Sequence, residues 1–180
     1  MMRIAPRALK TDRLLLRPSR AADADRAFEI QADWDVTRML SQATFPPDRE
    51  EVARWFADHP REWEAGQAYR FTIVREGTII GLVDIDGIKA GEGTLGYWLE
   101  RAAWGHGYAF EAAHAVMRFA AHDVGLLRLK AGHAHDNPAS GRILTRLGFD
   151  RIDDVELFSR PRNANIRQHR YVRTFAPTPR

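Results

Sequence analysis

The chain has 180 residues, 44% hydrophobic and 28% charged, with a formal net charge of +3 and no cysteine. This length suits one domain with its own core, read as residues 1–180. The lack of cysteine excludes disulfides, thiolate zinc sites and an acyl group carried on a protein thiol.

The isoelectric point near 9.6 reflects arginine, since among the 27 basic residues only Lys10, Lys89 and Lys130 are lysines. Arginine grips phosphates with a planar fork, although most of these side chains read as a solvated surface. The opening Met1-Met-Arg-Ile-Ala-Pro6 has no apolar h-region, and no run approaches the roughly 20 residues that span a bilayer. A cytoplasmic protein with no membrane partner is the expectation.

In chain order, residues 13–17 (RLLLR) ahead of Pro18 predict a first strand, and Ser19 a cap for a helix reaching about Ala32. Pro46 and Pro47 mark a break. Beyond it Val52, Trp55, Phe56 and His59 recur at helical spacing. The period then changes to two: Tyr69, Phe71 and Ile73 alternate with Arg70 and Thr72, as in a half-buried strand. Glu76-Gly77 predicts a tight turn into a strand over 79–88. A turn at 91–93 leads into the alternation of Leu95, Tyr97 and Leu99. These three strands form an antiparallel meander.

Ala109, Ala112, Ala113, Val116, Phe119 and Ala120 make the cleanest helical stripe, ended by Gly125. Leu127, Leu129 and Ala131 alternate as a fifth strand. Asn137-Pro138 opens a second helix with a capping side chain and a first-turn proline. Ile143, Leu144 and Leu147 are its apolar face and Gly148 its stop. Two more strands are expected near 155–158 and 166–175. The sum is an α/β mixed sheet with helices on its faces.

Chemistry concentrates at Trp104-Gly105-His106-Gly107-Tyr108-Ala109, between a strand and the strongest helix. Glycines there let backbone N–H groups approach an anion, and the helix dipole adds about half a positive charge. A pyrophosphate suits such a loop. The dinucleotide fingerprint is a poor fit, because it wants a third glycine where Phe110 stands and a sheet that is parallel from the start.

Downstream, residues 137–149 read Asn-Pro-Ala-Ser-Gly-Arg-Ile-Leu-Thr-Arg-Leu-Gly-Phe. With this stretch the chain resembles the GCN5-related N-acetyltransferase (GNAT) family, and within it the RimJ/RimL-like group that modifies ribosomal-protein N-termini. Four segments carry the resemblance. They are Thr11-Asp-Arg-Leu-Leu-Leu-Arg-Pro18, Gly96-Tyr-Trp-Leu99, the 104–109 loop with Glu111-Ala112, and residues 137–149.

The resemblance implies the GNAT fold, a mostly antiparallel sheet of about seven strands with helices on both faces. It implies acetyl-CoA as cosubstrate, its pyrophosphate on the backbone of Trp104, Gly105, His106, Gly107, Tyr108 and Ala109. Its pantetheine arm would pair with Tyr97, Trp98 and Leu99 on a strand that usually carries a bulge and splays from its neighbour. Asn137 corresponds to a pantetheine-binding position and is equally well placed as a helix cap. Ser140 matches a position that can protonate the departing thiolate. Two positions depart from the family. Ala102 stands where Arg or Gln often opens the loop, with Arg101 next to it, and Thr94 stands where Glu is frequent.

A neutral amine attacking a thioester requires a base to take the ammonium proton. Glu92 is the assigned candidate, with Asp84 and Asp86 as alternatives and His133 or His135 as a relay. The acceptor is read as a protein or peptide N-terminal α-amine. A small amine (polyamine, amino acid or aminoglycoside) and a non-catalytic acyl-CoA-sensing module remain alternatives. Nucleic acid is the weakest reading, since the arginines of segment 160–173 alternate like a solvated strand face. Either a monomer or a homodimer is compatible with the resemblance.

Overall fold

The computed structural model describes residues 4–176; the first three positions of the N-terminal stretch lie outside them. The strands are β1 (Leu9–Lys10), β2 (Leu15–Pro18), β3 (Tyr69–Arg75), β4 (Thr78–Lys89), β5 (Glu92–Leu99), β6 (Arg128–Ala134), β7 (Asp150–Ser159) and β8 (Ala164–Thr174). The helices are α1 (Ala24–Gln31), α2 (Trp34–Thr37), α3 (Arg49–Ala65), α4 (Tyr108–Phe119) and α5 (Pro138–Arg146). They form one sheet in the order β1-β2-β3-β4-β5-β6-β8-β7. All neighbours are antiparallel except β5 and β6. The strand beyond the expected seven is β1, whose two residues are too few to show a period.

Three local expectations change. Ser19 is not a cap: it is buried, and its Oγ lies 2.8 Å from His59 Nδ1 on α3. A 3₁₀ turn, Ala21–Asp23, precedes α1 instead, closed by Asp23 accepting from the Arg20 N–H at 3.1 Å. The second meander turn is Ala90-Gly91, with φ of 53° and 78°. Left-handed conformations at both central residues match the twist of a two-residue hairpin, so Glu92 and Gly93 belong to β5. Finally, Arg70 and Thr72 are buried, because helices cover both faces of β3.

Cross-strand rungs define those faces. Phe71, Val83 and Tyr97 pair across β3, β4 and β5 on one face. Here α4 packs, with Phe119 at 5.3 Å from the Phe71 ring and Trp63 at 5.2 Å. The adjacent rungs, Thr72–Leu82–Trp98 and Arg70–Asp84–Gly96, face the other way. There Leu82 meets Ala24 and Ala27 of α1 and Val52 and Phe56 of α3. Among the described residues, no helix is long and apolar enough to cross a membrane.

Candidate active site

The parallel ladder between β5 and β6 lasts three rungs, Glu92–Arg128, Gly93–Leu129 and Thr94–Lys130. Past Thr94, β5 stays with β4 and β6 with β8, so the two strands part. This parting opens the sheet without the expected bulge in β5. The register shift on that side lies in β4, between Asp86 and Lys89.

A cavity of about 610 Å³ occupies the α4/α5 side of the gap, lined by residues 95–99 and by Gly105, Gly107, Tyr108, Ala109, Asn137 and Ser140. A second, of about 480 Å³, lies on the α1/α3 side against Trp55, Arg70, Asp84 and Asp86. The two share Gly96, Tyr97, Trp98, Gly132 and His133, with Met39 and Leu40 as a roof. They meet at the gap.

The glycine loop ends at α4. Gly105 and Gly107 have φ of 78° and 80°, conformations that L side chains rarely adopt. Gly107 is the N-cap and no side chain caps the first turn, which leaves its N–H groups open to an anion. Trp104 pins the loop to the strand end through Nε1, which donates to the Leu99 carbonyl at 3.1 Å. Arg13 holds the other side, donating from Nη1 to the His106 carbonyl at 2.8 Å. Its Nε meets Glu111 at 2.7 Å, and Thr11 Oγ1 donates to the same carboxylate at 2.7 Å. Glu111 would repel an anion at this helix start, and Arg13 neutralises it.

These features accord with the sequence comparisons. Residues 13–150 match the Acetyltransferase (GNAT) domain family. The chain belongs to the GNAT acetyltransferases.

The uncharacterized N-acetyltransferase p20 of Bacillus licheniformis is 30% identical over 149 residues, covering 79% of this chain and 82% of the relative. The corresponding Bacillus subtilis (strain 168) protein YoaA is 27% identical over 147 residues, with the same coverage. In fold, RimL, a ribosomal L7/L12 α-N-protein acetyltransferase in complex with coenzyme A, superposes with a TM-score of 0.81 at 18% identity, covering 93% of this chain and 98% of RimL. Mycobacterium smegmatis RimJ in complex with CoA-disulfide gives 0.79 at 20% identity, covering 89% and 81%.

In this GNAT domain the named residues divide by position. Tyr97 and Ser140 come together, with the phenol oxygen 2.7 Å from Ser140 Oγ. Ser140 is buried rather than exposed. Asn137 caps α5, its Oδ1 accepting from the Ser140 N–H at 3.4 Å, and lines the first cavity. Glu92 is not part of this group. It sits on the first parallel rung, paired with Lys130 at 2.6 Å and Arg128 at 3.1 Å, and lines neither cavity. These pairings hold its pKa below the ordinary glutamate value.

Arg101 is likewise committed, to Asp33 and Asp35 at 3.0 Å each, and does not stand in for the family's loop-opening cation. His133 lines both cavities. Its Nδ1 donates to the Ala134 carbonyl at 2.8 Å, and Nε2 accepts from Tyr171 Oη at 3.2 Å. Burial lowers its pKa below the ordinary histidine value. His135 is exposed and lines neither cavity.

Arg160 and Arg162, in the turn between β7 and β8, are structural. Arg160 donates to the Gln42 carbonyl and to Glu51, and Arg162 to the Arg38 carbonyl and to Asp136, all at 2.7–2.9 Å. They tie the 38–42 segment, which carries the roof, over the gap. Sequence reading missed Arg13, Thr11 and the roof. The first two stood inside a quoted motif, but their partner Glu111 lies about a hundred positions away.

Proposed function

We propose that this GNAT enzyme moves an acetyl group from acetyl-CoA to a peptide or protein N-terminal α-amine by direct attack in a ternary complex. The meeting of two cavities at the β5–β6 gap carries this reading. One has an anion-binding loop at its end and an unpaired strand edge, suited to pyrophosphate and pantetheine. The other can present an amine to the gap from the opposite face. With no cysteine to hold the acyl group, transfer within one complex is the simplest path, and proximity can lower the barrier by about 7 kcal/mol or more.

The second cavity favours an α-amine over a small polycation. Its carboxylates Glu51, Asp84 and Asp86 are answered by Arg160 and Arg70, so no large negative excess awaits a polyamine or aminoglycoside. An α-amine also sheds its proton more readily, with a pKa of about 7.7–8.0 against about 10.4 for lysine.

The test is free-thiol release from acetyl-CoA with a panel of peptides and small amines. Peptides with a free N-terminus should support release, and the same peptides blocked at the N-terminus but carrying lysine should not. Release with polyamines alone would overturn the acceptor assignment. Tight acetyl-CoA binding without release from any acceptor would favour a sensing module.

The nucleotide end has its own cations. Arg142 and Arg146 line the first cavity, and no carboxylate among the described residues pairs with either; Arg146 lies 4.0 Å over the Phe110 ring. They are assigned to the 3′-phosphate. Arg146→Ala is expected to raise the KM for acetyl-CoA about fivefold, about 1 kcal/mol, the upper end for an ion pair at an exposed arginine. The KM for the acceptor should stay unchanged, and the effect should vanish with dephospho-acetyl-CoA, compared by steady-state kinetics.

A further inference from the structure

We propose that Asp84 is the base that takes the proton from the acceptor ammonium, and that Gly96 is the opening through which it reaches the gap; this rests on the acyl-transfer reading above.

Arg70, Asp84 and Gly96 are direct partners on β3, β4 and β5, so all three point to the α1/α3 face. Arg70 Nη1 donates to Asp84 Oδ2. The same guanidinium also serves Glu62, at 2.8 and 3.1 Å, and Asp86 at 3.5 Å. One cation is thus divided among three carboxylates, and Asp84 Oδ1 receives no donor among the described residues.

That oxygen lies over Gly96: a Cβ on Gly96 would stand 2.8 Å from it. Gly96 is not among the glycines with left-handed φ, so its backbone would accept an ordinary residue. The missing side chain instead leaves a window, two residues beyond the last β5–β6 rung. On the other side of the gap, against the first cavity, stand Tyr97 and Ser140. Base and thiolate partner therefore flank the gap from opposite faces of the sheet.

The electrostatics agree with this role. Burial pushes the Asp84 carboxyl up to about 7, with Arg70 opposing and Asp86 and Glu62 adding to the rise. Because Arg70 is shared with Glu62 and Asp86, its opposing pull on Asp84 is diluted. The other charged or titratable groups facing this cavity are Glu51, Tyr97, Arg160 and His133. A base that titrates near the working pH is well matched to proton abstraction.

The step balances. The ammonium gives one proton to Asp84 Oδ1, and the freed lone pair forms the C–N bond at the thioester carbonyl. Collapse breaks C–S, and the electron pair leaves on sulfur. The surplus proton on nitrogen is lost as the thiolate gains one. Each turnover therefore releases one proton to solvent, from Asp84.

The experiment compares wild type with Asp84→Asn and Gly96→Ala. For a free-N-terminus peptide, D84N is expected to lower kcat/KM about 10²- to 10⁴-fold. Its acidic limb should move from near 7 to the peptide's own amine pKa, with acetyl-CoA affinity by titration unchanged. G96A should reproduce the acceptor-side loss. Retained rate and limb in D84N would overturn the base, and a fully active G96A would overturn the window. Carboxyl ¹³C NMR, subtracting D84N from wild type, reads Asp84 without any acceptor. A midpoint near 7 supports the proposal and one below 5 overturns it. Absence of thiol release with every acceptor would instead fail the acyl-transfer reading, leaving the NMR result to decide Asp84.

Discussion

Replacing Ser140 with alanine is expected to lower kcat about a hundredfold, and adding Tyr97→Phe is expected to cost little more. The reason is the order of donors. Burial pushes the Tyr97 phenol up to about 12, so it stays protonated at any working pH. At 2.7 Å from Ser140 Oγ it can donate to that oxygen, which frees the serine O–H to point at the departing sulfur. In the proposed mechanism Tyr97 thus acts through Ser140. A loss of about a hundredfold is about 2.7 kcal/mol of barrier, within the range for a positioned proton donor. The KM for acetyl-CoA should barely move, because alanine keeps the backbone N–H that Asn137 caps. Steady-state kcat for S140A, Y97F and the double variant decides the point. Additive losses would mean two independent roles, and an undiminished kcat in S140A would mean that the thiolate leaves unaided.

The second large effect concerns acid. Wild-type stability is expected to stay nearly flat between pH 6.5 and 4.5, while D84N loses roughly 2 to 3 kcal/mol over that span and His59→Leu gains a similar amount. His59 is buried against Trp55 and Phe56, and desolvation, helped by the Arg70 charge, lowers its pKa to about 3. Below pH 6.5 the unfolded chain binds a proton that the folded chain refuses. The His59 contribution is therefore complete above 6.5 and drains as pH falls toward 3.

Asp84 has the opposite sign. Its folded pKa, about 7, exceeds the ordinary 3.8, so the folded chain binds the proton first. That contribution grows as pH falls from 7 and is complete below 3.8. The two slopes oppose each other across the window. Asp23, Glu111 and Asp136, held low by their partners, add acid loss only below about pH 4.5. Chemical denaturation at each pH, for the three proteins, measures the slopes. A wild type that falls as steeply as D84N would remove Asp84 from the balance.

What the sequence made legible was local. The apolar stripe of α4 and the alternation in β3 and β5 follow from periods of 3.6 and 2.0. The 104–109 loop announced itself by two glycines at a strand–helix junction. What stayed hidden was long-range. A period of two says which residues share a face, but not which strand lies beside them. The row of Arg70, Asp84 and Gly96, drawn from three strands, could not be read in advance. Glu92 looked free as one carboxylate near a central strand; only the parallel register with β6 shows Arg128 and Lys130 against it. Ser19 has the composition of a cap and is instead claimed by a histidine forty positions away.

The early parting of β5 and β6 also governs traffic. A sheet is ordinarily a wall, and two molecules that react on it must share one side and queue for it. In the proposed ternary complex each reactant would have its own approach, from opposite sides of the wall, and they would touch only where the wall is breached. Neither would block the other's path, so on that reading sterics impose no order of arrival. The acylated product would be free to withdraw while the spent thiol is still seated, and that thiol would obstruct the route of its own precursor alone.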